Sequence, residues 1–99
     1  MVWDYALDNP PPTVDAVVPA QGPQAGLTAV SIYGDHFQSG AAVTLCGEAA
    51  TDVVVVNAAK ITCKTPPYTC PSGPPCACTV KVVNPNGQEG TLANGFTYQ

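Results

Sequence analysis

Thr28-Ala29-Val30-Ser31-Ile32-Tyr33-Gly34 carries the clearest alternation in the chain. Val30 and Ile32 fall on one side of an extended chain and Ser31 and Tyr33 on the other, the period-two pattern of a strand with one buried face. Phe37, just beyond the following turn, joins the apolar side. Downstream, Ala42 to Cys46 alternates again through Val43 and Leu45 before Gly47-Glu48 turns the chain. Asp52-Val53-Val54-Val55-Val56-Asn57 is a β-branched run that suits a strand without revealing which face is buried. Lys60 to Lys64 sets Ile61 and Cys63 on one side against three polar residues, and Pro66-Pro67 ends it. Between Pro66 and Cys76 the proline density permits only a loop. Cys78 to Asn84 resumes strict alternation, with Cys78, Val80 and Val82 together. Asn84-Pro85-Asn86-Gly87 then offers the positive φ of a tight turn. Gly90 to Ala93 and Phe96 to Tyr98 complete the chain, separated by Asn94-Gly95. Upstream, Thr13 to Val18 reads as a first edge strand stopped by Pro19, and Gln21 to Gly26 as a turn.

These segments amount to about seven short strands at turn spacings near ten residues, with no convincing helix. That pattern predicts an all-β, aligned sandwich. Composition agrees: 11 Pro and 9 Gly in 99 residues rule out long helices, while 45% hydrophobic content supports one modest core. Three Lys, no Arg and a net charge of −4 leave no cationic footprint for nucleic acid, which is excluded as a partner. Membrane insertion is excluded as well, since no apolar run approaches the ~20 residues of a spanning helix.

Five Cys in so short a chain, with one His and no Cys-x-x-Cys, point to an oxidising compartment rather than to a metal site. No cofactor is expected. Residues 1–12 read as a linker or the end of a preceding domain, and 13–99 as the domain itself. Trp3-Asp4-Tyr5 repeats the form of Phe96-Thr97-Tyr98, with Pro10-Pro11-Pro12 as a stiff connector.

The ordered motifs resemble a known family. Val17-Val18-Pro19, Gly22-Pro23 and Gly26 to Phe37 resemble the opening of an IPT/TIG domain, the immunoglobulin-like fold shared by plexins, transcription factors and bacterial surface proteins. Val43-Thr44-Leu45-Cys46-Gly47 is similar to the family's Val-x-Phe-Gly-Gly turn. Ile61-Thr62-Cys63-Lys64-Thr65-Pro66-Pro67 is similar to its Ile-Thr-Cys-x-Thr-Pro-Pro, and Val80 to Gly87 with Leu92 to Tyr98 to its ending. The resemblance implies a disulfide-stapled immunoglobulin-like sandwich of about seven antiparallel strands. Cys70 to Cys78 is an insertion relative to it.

Five disulfide candidates follow: Cys46, Cys63, Cys70, Cys76 and Cys78. The spacing alone leaves their connectivity open. Family members with the Ile-Thr-Cys motif pair that Cys with one upstream, which implies Cys46–Cys63 here. Cys70 with Cys76 or Cys78 would close a small Pro-rich loop, whereas Cys76 and Cys78 are poor partners for each other.

No catalytic constellation emerges. His36, the single His, sits in a turn away from any nucleophile, and the seven acids are scattered. Lys64 and Lys81 alternate away from the apolar face, which disfavours an internal isopeptide. The chain therefore reads as a non-enzymatic, extracellular or cell-surface module, a spacer and interaction or assembly domain of a larger surface or secreted protein. Its partners would be neighbouring domains or other copies of the parent. The rival is a carbohydrate-associated accessory domain of a polysaccharide-acting enzyme, with polysaccharide as partner, which requires two or three coplanar exposed aromatic residues.

Overall fold

A computed structural model describes residues 10–99 as two packed β-sheets. In chain order the strands are β1 (Thr13–Val18), β2 (Gln21–Gly22), β3 (Ala29–Asp35), β4 (Ala42–Leu45), β5 (Glu48–Ala49), β6 (Thr51–Asn57), β7 (Lys60–Lys64), β8 (Cys76–Val83) and β9 (Glu89–Tyr98). One sheet has the order β1-β3-β7-β6 and the other β2-β9-β8-β4-β5. All pairings are antiparallel except that of β2 with β9. The architecture is the two-sheet sandwich that the alternation implies, in the immunoglobulin-like form that the resemblance implies.

Between the sheets lie the residues that the period-two reading selects. Val30, Ile32, Val43, Leu45, Ile61, Cys63, Cys78, Val80, Val82, Phe96 and Tyr98 are all buried. The valine run resolves in the same terms: Val53 and Val55 pack against the core, while Val54 and Val56 stay exposed. Phe37 closes one end of the core at 5% exposure. Gly34 is required beside it, because a Cβ there would collide with the Thr13 carbonyl on the neighbouring strand.

Three local readings change. Gln21-Gly22, expected in a turn, forms a short parallel strand with Thr97-Tyr98, flanked by bonds from Thr97 N to Ala20 O and from Gln99 N to Gly22 O, each 2.8 Å. Asn94-Gly95 does not end a strand: β9 runs through it as a bulge, with Asn94 at φ 57° and a register shift opposite Cys78/Val80. β8 starts at Cys76, two residues early, because Cys76 and Ala77 find partners in Tyr98 and Thr97.

The register defines two poles. At the first lie the ends of β3 and β6, the turn Asn84–Gln88 and the start of β1, with Thr13 opposite Asp35. At the second lie the end of β9, the Pro19–Gln24 segment and the loop from Pro66 to Cys76. The described chain thus enters the sandwich at one pole and leaves it at the other, about 30 Å away for the ten residues of β9.

Candidate functional site

The cysteines are the most distinctive side chains, and their pairing follows from strand neighbourhood. Leu45-Cys46-Gly47-Glu48 is a two-residue hairpin in which both central residues have positive φ, 52° at Cys46 and 81° at Gly47. Such a turn normally takes Asn-Gly. β4 runs antiparallel to β8 with Leu45 opposite Val80, so Cys46 lies beside Thr79, whose carbonyl accepts from Cys46 N at 3.2 Å. Cys78 is the next residue, and the two form a disulfide with Cα atoms 4.9 Å apart.

This corrects the Cys46–Cys63 pairing. Cys63 sits on β7 in the opposite sheet, between β3 and β6, and remains a buried free thiol. Burial pushes its pKa up to about 11, so it is protonated and inert at neutral pH. A second disulfide joins Cys70 to Cys76, Cα atoms 5.8 Å apart. Its loop is pinned to the second pole: Cys70 N donates to the Gln24 side-chain oxygen at 2.8 Å and Tyr68 N to the Gln24 carbonyl at 2.9 Å.

Two buried polar residues escaped the sequence reading. Asn84, 1% exposed, accepts from Gln38 N at 3.1 Å and donates from Nδ2 to the His36 carbonyl at 2.9 Å, so one amide ties the first pole together across the sheets. Thr65 accepts from Thr28 N at 3.1 Å through its hydroxyl and holds the start of the long loop. Both sit where a strand stops, and the one local signal was an Asn or Thr directly before Pro.

His36 is exposed on a turn at φ 64°. Among the described residues no three His, Cys, Asp or Glu side chains gather into a metal-binding group. A shallow groove of about 440 Å³ lies on the outer face of the five-stranded sheet, lined by Thr44, Cys46, Gly47, Thr79, Lys81 and Val83. The Lys81 ammonium is engaged there by Glu89 at 2.9 Å. The groove offers hydroxyls and methyl groups but neither a nucleophile beside a base nor an unpaired charge.

The described aromatic residues do not make a platform. Phe37, Phe96 and Tyr98 are buried. Tyr68 packs on Tyr98 at 5.4 Å with a 38° tilt. Tyr33 is 41% exposed and carries the Lys60 ammonium 5.8 Å from its ring centroid. Trp3 and Tyr5, with the rest of the possible preceding strand, lie outside the described residues. Among the described residues, no helix is long and apolar enough to cross a membrane.

Comparison with known proteins adds to this geometry. The family model described as IPT/TIG domain matches residues 12–98. An auxiliary nutrient binding protein from Bacteroides ovatus is similar in structure, with TM-score 0.68 and 26% identity over 90% of this chain. An auxiliary nutrient binding protein from Bacteroides thetaiotaomicron gives 0.67 and 21% over 92%, and a candidate phosphatase from the same species 0.69 and 19% over 90%. The chain spans about a fifth of each of those longer proteins, at 21%, 21% and 18% respectively. Curated protein sequences yield no match.

Proposed function

The chain belongs to the IPT/TIG domain family, and on that basis we propose that it is a non-catalytic module of a larger surface or secreted protein, holding its neighbours apart and taking part in assembly. The observation that carries this reading is the entry of the chain at one pole and its exit at the other. A strand-built body between two attachment points transmits a fixed spacing, which a flexible linker cannot. Two disulfides fit a protein that works outside the reducing cytosol. Both reinforce the five-stranded sheet, one between β4 and β8 and one at the root of β8.

A second reading, an accessory domain of a polysaccharide-acting protein, draws support from the Bacteroides ovatus nutrient binding protein. The described aromatic side chains give it no stacking surface, so the spacer reading stands first. The phosphatase neighbour, at 19% identity, speaks to the fold alone.

The test replaces residues 13–99 within the longer protein, once by an unrelated sandwich of equal pole-to-pole length and once by a Gly/Ser linker of matched length. Small-angle scattering then reads the separation of the flanking domains. The sandwich is expected to restore the native spacing and the linker to lose it; equal spacing with both would overturn the reading.

A further inference from the structure

The sheet edges are unequally protected. The β1 edge follows three prolines, is broken by a bulge between Val14 and Ala16 and stops at Pro19. β2 and β5 are two residues long. The outer edge of β9 is paired by β2 at one end, and at the other the Pro12 carbonyl lies against Gly90, too close to admit a Cβ. β6 differs from all of these. It has seven residues, contains neither Pro nor Lys, and among the described residues pairs on one side only, with β7. Its single charge, Asp52, is engaged by Lys64 at 3.5 Å. Open edges of this kind are templates for strand addition, and of the usual devices against it β6 carries only its register shifts and one charge, with no proline, lysine, short length or covering segment among the described residues.

We propose that β6 pairs edge to edge with β6 of a second copy, antiparallel about a two-fold axis, joining the two four-stranded sheets into one. The choice of a second copy rests on the strand's own symmetry. Residues opposite one another in an antiparallel pair must share a face. With Val55 on the axis, Val54 meets Val56 of the other copy on the outer face, twice over, and each covers a valine that is now 55% or 53% exposed. Val55 meets its own counterpart on the core side. In that register the two Asp52 residues are six positions apart, ~20 Å, about two Debye lengths, so the one charged residue raises no barrier. An isologous contact closes on itself and ends at the dimer. Register shifts at Thr51/Val54 and Val55/Asn57 limit the paired stretch to a few residues, which makes the association reversible.

This deepens the assembly part of the function proposed above and rests on it. Sedimentation equilibrium of the intact chain under non-reducing conditions, over a wide concentration range, tests it together with amide exchange. A monomer–dimer equilibrium is expected, with β6 amides gaining protection as concentration rises. Val54→Lys and Val56→Lys, both at exposed positions, should each return the monomer. Val18→Lys, at an exposed position on the opposite edge strand of the same sheet, should leave the dimer intact. A monomer at every concentration would overturn edge pairing, as would a dimer insensitive to Val54→Lys or one abolished by Val18→Lys. A monomer whose module still sets the spacing in the longer protein overturns edge pairing alone and leaves the spacer reading in place.

Discussion

The Tyr98 hydroxyl donates to the Pro66 carbonyl at 2.7 Å, fastening the last strand of one sheet to the loop that leaves the other. Both residues are buried, and the bond spans 32 positions of sequence. Tyr98→Phe keeps the ring and its contacts with Phe96 and Tyr68 but leaves the Pro66 carbonyl without this donor. The expected cost is about 1–3 kcal/mol. A urea titration checks it, with the midpoint falling at unchanged slope.

Asn84 makes a second such tie, at the opposite pole. Asn84→Asp keeps the acceptor for Gln38 N but has no donor for the His36 carbonyl once ionised, and a buried charge results. The loss in thermal midpoint should exceed that of Asn84→Ala at neutral pH. It should shrink as acid restores a protonated carboxyl that can donate.

Alkaline conditions act on two core groups. Burial raises Cys63 to about 11, and burial first, with Cys63, Glu48 and Tyr68 adding, raises Tyr98 to about 12. The folded chain therefore holds these protons more tightly than the unfolded one, and stability falls as pH rises. The loss begins near the unfolded thiol value of 9.0 and is complete above the folded values. Thermal midpoints from pH 8 to 12 should decline along that window, and Cys63→Ala should remove the lower part of the decline. The same burial predicts that the native protein resists alkylation at Cys63 until unfolded.

The disulfides set how far the module can be stretched. Pulled from Thr13 and Gln99, the oxidised chain hides the 32 positions between Cys46 and Cys78, within which the Cys70–Cys76 loop is nested. Reduction should lengthen the unfolding step by about 110 Å, at about 3.5 Å per residue. Force spectroscopy with and without reductant measures this directly, and Cys46→Ser without reductant should fall about 20 Å short of the reduced length, because Cys70–Cys76 still closes its six positions. A bridge between Cys46 and Cys63 would hide about half as much.

The strand faces were legible because alternation is local: whichever strands become neighbours, Val30 and Ile32 share a side, as do Cys78, Val80 and Val82. That much the amino-acid sequence determined by itself, together with the turns at Gly47 and Gly87 and the proline loop that carries the chain between sheets. Disulfide partnership, the role of Asn84 and the open edge of β6 were decided by tertiary structure. Cys63 and Cys46 alternate correctly for the core and the turn, yet β7 and β4 fall in different sheets, and β8 rather than β7 runs beside Cys46. Asn84 looked like an ordinary turn residue until the His36 and Gln38 backbone arrived from 48 and 46 positions away. The valine run carried no sign of being an edge, since an edge is defined by a missing neighbour. Side-chain direction is written in the spacing of adjacent residues, whereas neighbourhood between distant strands exists only once the two sheets have formed.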